Sequence, residues 1–118
     1  MISPTQKALL VMLDLDVPRN NQRVTNLHWL SPNVDISQPT ASVPTTPPGG
    51  LAYRQPSPPP GDTPHRYVYY LYAQAQGFTV PAQSMAAIQM RLGFDVNAFA
   101  VAGGLGQPVA ANFITVQT

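Results

Sequence analysis

The sequence predicts a mostly β fold, and three observations carry that prediction. Residues 7–16 form a continuous apolar run that closes on two acids and ends at Val17-Pro18, the signature of a short strand buried on both faces. Residues 66–74 are dominated by aromatic and β-branched side chains, the composition of a strand. Between them, residues 35–64 hold nine of the chain's 14 prolines, a density through which neither a helix nor a ladder can run.

The remaining elements follow from local signals. Residues 26–34 read as a second strand that Pro32 either bulges or demotes to an edge. Residues 35–64, with Gly49-Gly50 inside, are a long loop, and loops of that length in compact domains are usually functional or disordered. Residues 85–90 are apolar enough for a short helix. Asp95 is placed to cap a second helix over residues 96–102, because its carboxylate can accept from the free N–H groups of the first turn. Gly103-Gly104 supplies a left-handed stop, and residues 108–117 read as a last strand. With 118 residues and no internal repeat, one small domain spanning residues 1–118 is expected.

Composition narrows the function. Charged residues are 9% of the chain, there is no glutamate, and the net charge is +1 with no cluster of Lys or Arg. That removes the electrostatic case for nucleic acid or an anionic membrane surface. Cysteine is absent, so neither a disulfide nor a thiolate metal site is available. The first residues are polar without a following apolar stretch, and the longest apolar run, residues 8–13, is too short to span a bilayer. A soluble, cytoplasmic protein without a transmembrane segment is the expectation.

Few side chains can do chemistry. Asp14 and Asp16, two apart on a strand, are expected on one face, where like charges would leave one partner protonated near neutral pH; the alternative is a pair of solvated acids at a strand end. His28 beside Trp29, and His65 at the start of the aromatic strand, are the only two histidines. Each is readable as a structural residue or as a site residue. Two His and two Asp also match the ligand types of a non-haem iron site, but their spacing matches no tight metal motif, and neither a metal nor another cofactor is expected. The run 58–61 reads as a polyproline ligand for another domain or as a rigid wall beside His65; a rigid wall holds a pocket open at little entropic cost. Tyr67, two residues from His65, shares its face.

Three segments together resemble the phosphatidylethanolamine-binding protein family. Asp14-Leu15-Asp16-Val17-Pro18 is similar to that family's Asp-Pro-Asp-x-Pro motif, with Leu15 in place of the proline. Leu27-His28-Trp29-Leu30 is similar to a histidine-bearing strand. Residues 58–68, with Pro58-Pro59, Gly61 and His65-Arg66-Tyr67, resemble its Pro-Pro-x-Gly-x-x-x-His-Arg-Tyr signature, the most specific of the three. Residues 99–113 resemble the family's late helix and following strand. The resemblance implies an antiparallel β-sheet fold with one or two short helices and a long proline-rich loop, here without the family's N-terminal strands and C-terminal helix. It implies a small pocket for phosphate, phosphoryl headgroups or carboxylates. That pocket is expected to comprise Asp14, Asp16, His28, Pro58, Pro59, Gly61, His65 and Tyr67, with Asp62 an added acid at its rim.

The leading expectation is therefore a binding module for a small anionic ligand, with modest affinity that strengthens on the acid side as an imidazole gains its second donor. Two alternatives stand beside it. Residues 104–112 and Thr63-Pro64 look most like the fungal branch, where such proteins assist dimerisation of anhydride monomers in polyketide pathways; His28 or His65 would then move a proton α to a carbonyl, with a protein of the pathway as partner. Other members inhibit kinases or proteases, a role that calls for a charged partner surface absent from this chain.

Overall fold

The computed structural model describes residues 7–37 and 42–118; residues 1–6 and 38–41, the start of the chain and part of the predicted proline loop, lie outside it. Four strands, β1 (Lys7–Arg19), β2 (Gln22–Asp35), β3 (His65–Ala73) and β4 (Ala110–Val116), form one antiparallel sheet in the order β2-β1-β3-β4. A 3₁₀ turn at Ala82–Ser84 leads into helix α1 (Met85–Met90), and helix α2 (Val96–Gly103) follows. The mostly β architecture with two short helices is the one the sequence predicts.

β1 is central, and from Ala8 to Asp14 every residue but the half-buried Leu10 is shielded from solvent, as a continuous apolar run requires. Leu9, Val11 and Leu13 project to one face and meet Ile88, Phe94, Phe99 and Leu105 from the helical segment. Asp95 Oδ1 accepts from Ala98 N–H at 3.0 Å, and Gly104 closes α2 in the left-handed region, so both predicted ends of that helix are found.

The strands run further than the sequence suggests. β1 does not end at Pro18, because it continues with β2 into a hairpin whose two-residue turn, Asn20-Asn21, has φ of 51° and 63°. Asparagine tolerates that region, which gives a primed turn matched to strand twist. Pro18 is accommodated because β3 pairs with β1 only as far as Asp14, so one side of β1 carries no ladder there. Pro32 lies in a bulge, as expected: Pro32 and Asn33 together face Leu9, and Asn33 has φ 60°.

Beyond Asp35, the end of β2, the described residues of the proline-rich segment carry no named strand or helix, yet its second half is fixed to the free edge of β2. Leu51 exchanges both backbone hydrogen bonds with Leu30, and Arg54 N–H donates to the His28 carbonyl. A side chain at position 50 would collide with the Leu30 carbonyl and Pro32, so Gly50 is what lets the loop approach. The Arg91 guanidinium, just past α1, donates to the carbonyls of Leu27, His28 and Ala52 and binds loop, strand and helix together. The opposite edge differs. β4 is exposed along its length, with Phe113 and Ile114 in solvent, and no described strand pairs with its outer side. Among the described residues no helix is long and apolar enough to cross a membrane.

The packing assigns the core its weight. Ile88→Ala, at a fully buried position joining α1 to the sheet, is expected to cost about 2–5 kcal/mol in urea unfolding. Val101→Ala, on the exposed side of α2, is expected to change stability by no more than about 0.5 kcal/mol.

Candidate functional site

A cavity of about 310 Å³ opens at one end of the sheet, between the ends of β1, β2 and β3 and the loop segment 54–59. β1, β2 and β3 each bring polar groups to it. Asp14 on β1 stands opposite Tyr67 on β3, so the two share a face. His28 reaches the same cavity through an irregularity: Met12 pairs with Trp29 and Leu13 with Leu27, so His28 is the extra residue of a bulge. A bulge re-aims a side chain, and here it sets the His28 ring edge-on to Tyr67, centroids 5.2 Å apart. Pro58 and Pro59 line the cavity as the wall the sequence suggests.

His65 is the most constrained group. Its side chain is 1% exposed, its Nδ1 lies 2.7 Å from Asp14 Oδ2, and its Nε2 lies 2.7 Å from Asp62 Oδ2. Two carboxylate acceptors require both ring nitrogens to donate, which is the imidazolium. Burial opposes that charge, but the bonds to Asp14 and Asp62 outweigh it and raise the His65 pKa. Asp62 is held in turn by Arg23, whose guanidinium donates to both its oxygens at 2.9 and 3.0 Å and to the Asp16 carbonyl at 2.8 Å. Those contacts to Arg23, then the bond from His65, put the Asp62 pKa far below the ordinary carboxylate range. His65, expected as a free donor to the ligand, therefore has both donors engaged within the protein.

Asp14 and Asp16 do not form the expected acidic pair. Asp14 accepts from His65 and, at 2.8 Å, from the Asp16 backbone N–H. Asp16 lies outside the cavity lining and takes the Arg66 fork, with Arg66 Nε at 2.9 Å, Nη2 at 2.8 Å and the Arg66 backbone N–H at 2.8 Å. The side-chain bond from Arg66 lowers its pKa against a smaller desolvation effect. Asp16 is thus paired with Arg66, and Asp14 with His65. Gly61 also lies outside the lining; with φ 83° it closes the turn in which Asp62 N–H donates to the Pro59 carbonyl, and so delivers Asp62 to His65.

The other half of the cavity is open to a ligand. His28 is 4% exposed, and its Nδ1 sits 2.7 Å from the Arg54 carbonyl, an acceptor only, so Nδ1 carries the proton. Burial lowers the His28 pKa, against the pull of that carbonyl and of Asp14. The neutral ring then presents Nε2 as an acceptor, without a partner among the described residues. The Tyr67 hydroxyl is fully buried, lies close to Asp14 and Ser57, and has no hydrogen-bond partner among the described residues. Burial first, then the Asp14 charge, raises its pKa, so it remains a donor. Arg54 adds a cation to the lining, together with Asn26, Gln55 and Ser57. The sequence reading missed these four; Arg54 could have been flagged as the one cation within residues 35–64. No group of three or more His and Asp among the described residues is arranged to hold a metal ion.

A bulge-borne histidine, a His65 clasped by Asp14, and a proline wall at one sheet end coincide with a family match: residues 2–115 fit the phosphatidylethanolamine-binding protein family, and the chain belongs to it. It is 34% identical over 121 residues to the phomoidride biosynthesis cluster protein N of Talaromyces stipitatus, covering 97% of this chain and 61% of that protein. The protein of the same name from a fungal species, strain ATCC 74256, is 37% identical over 114 residues, covering 92% of this chain and 52% of that protein. The chain thus spans between half and two thirds of the length of these relatives. Its fold superposes with a TM-score of 0.67 on carboxypeptidase Y inhibitor, crystallised in complex with its cognate proteinase, at 23% identity and covering 100% of this chain and 63% of that one.

The two histidines titrate in opposite directions, and the signs follow. The fold favours protonated His65, so its contribution to stability is full below about pH 6.5 and is lost as pH rises through its raised value. The fold disfavours protonated His28, so that group costs stability as pH falls below about 6.5. In an NMR titration the His65 midpoint is expected above 6.5 and that of His28 below it. Asp62→Asn is expected to lower the first and leave the second in place; coincident midpoints in the native protein would contradict the double clasp.

Proposed function

We propose that the cavity binds a small oxyanion, such as a phosphoryl group or a carboxylate, without turning it over. The observation that carries this reading is the buried Tyr67 hydroxyl, which lines the cavity without a hydrogen-bond partner among the described residues. A buried polar group left unpaired costs free energy that a ligand oxygen would recover. Arg54 supplies the attracting charge, since His65, Asp14, Asp62 and Arg23 neutralise one another. Inorganic phosphate, titrated calorimetrically and by histidine NMR signals, is expected to bind and to perturb His28 more than His65. Arg54→Met is expected to weaken binding about tenfold, the worth of one charge-assisted hydrogen bond. Histidine signals indifferent to phosphate would end the proposal.

A second reading is a part in fungal secondary metabolism, favoured by the two relatives named for a phomoidride biosynthesis cluster. In it, neutral His28 removes a proton α to the carbonyl of an enolisable anhydride, and Tyr67 and Arg54 stabilise the oxyanion that forms. The enzyme role falls to His28 rather than His65, whose nitrogens are occupied. Incubation with an enolisable cyclic anhydride is expected to give dimer above background, with the excess abolished by His28→Ala. A rate equal to background would leave the binding module. The likeness to carboxypeptidase Y inhibitor is one of fold, and no inhibitor activity is carried over from it.

A further inference from the structure

The two open groups of the cavity have opposite hydrogen-bond needs. The Tyr67 hydroxyl, fully buried and without a partner among the described residues, has a proton to give. His28 Nε2 has a lone pair to offer, because the Arg54 carbonyl 2.7 Å from Nδ1 fixes the ring proton on that nitrogen. An oxyanion with no proton of its own satisfies the tyrosine and sets oxygen lone pairs against the histidine. An oxyanion that keeps one proton satisfies both.

We propose, resting on the anion-pocket reading above, that the site selects a proton-bearing phosphoryl group: a phosphate monoester or phosphonate monoanion whose P–O–H donates to His28 Nε2 while an ionised oxygen accepts from Tyr67 Oη–H. Burial is the largest influence on His28 and keeps its ring neutral against the Arg54 carbonyl and Asp14, which favour charge. From β1, Asp14 is paired with His65, and its pull toward a charged His28 is smaller than the opposing effect of burial. From the loop and from the end of α1, Arg54 and Arg91 oppose a charge on the ring, and burial does so more strongly. From β3, Tyr67 presents its ring to that of His28 and stays protonated. The consequence for ligand class is definite. A phosphodiester, the linkage in most phospholipid headgroups, has lost its titratable proton at neutral pH and leaves Nε2 unpaired; a monoester has a second ionisation near pH 6 and retains one.

The test uses the native chain and four small probes: methyl phosphate, methylphosphonate, dimethyl phosphate and sulfate. At pH 6, methyl phosphate is expected to bind at least tenfold more tightly than dimethyl phosphate or sulfate, the penalty of one mismatched buried hydrogen bond. Affinity for methyl phosphate falls as pH rises through that ligand's own second ionisation. With methylphosphonate, which ionises at higher pH, the fall is displaced upward by the same amount. His28→Gln, which brings an amide donor, is expected to bring sulfate to within about threefold of methyl phosphate. Vesicles containing phosphatidic acid, compared with vesicles lacking it, report whether the monoester is taken from a bilayer or from solution. Equal affinities for all four probes, or a pH midpoint common to both titrating ligands, would overturn proton selection while leaving anion binding intact. No response to any probe would remove the anion pocket itself.

Discussion

A buried imidazolium gripped by two carboxylates is the interaction on which this end of the molecule depends. His65 opens β3, Asp14 belongs to central β1, and Asp62 sits in the turn that ends the proline-rich segment. One ring thus joins the sheet to the loop that roofs it, and Arg23 extends the join to β2. Taking either carboxylate away leaves a buried charge without its partner, the situation in which ion pairs matter most. The short separation of Asp62 and His65, three residues along a chain stiffened by Pro64, shows how local sequence prepares that geometry.

The clasp divides the site by labour. Asp14, His65, Asp62 and Arg23 form a closed charge network and hold the frame, while His28, Tyr67 and Arg54 present the unsatisfied chemistry. Preorganisation of this kind places reactive or binding groups on elements that do not move when a ligand arrives. The same division explains why binding and proton transfer are both chemically open to one cavity. A neutral imidazole beside a protonated phenol can hold a ligand's proton or take it, and the ligand's acidity decides which.

What was legible in the sequence follows from how local each cause is. The apolar run of β1, the aromatic run of β3 and the Asp95 cap depend on neighbours in the chain, and each stands where the sequence puts it. The hairpin extension of β1 and β2 was hidden because Pro18 and polar residues around Asn20-Asn21 resemble a strand end; only the absence of β3 alongside makes that proline harmless. The candidate site was legible as a set of residues and not as a geometry. Periodicity places Asp14 and Asp16 on one face, whereas the Arg66 fork claims Asp16. Periodicity also places His28 on the face opposite Trp29, and the bulge that overrides it is a property of the β1–β2 register, invisible in either strand alone. Arg54 was obscured by the proline density around it, which marks a loop but not where the loop lands; Asp62 was legible as an acid at the rim, but not as a partner of His65.

Arg54 serves the site through two separable parts. Its carbonyl fixes the tautomer of His28, and every amino acid has a carbonyl there; its guanidinium supplies charge, and few residues do. The feature that fixes the His28 tautomer is thereby insulated from point substitution, while the feature that sets the charge of the lining is exposed to it. A substitution at position 54 changes the charge of the cavity lining and leaves in place the carbonyl that holds the histidine. Insertions, deletions or a shift of the loop along β2 are the changes this arrangement cannot absorb.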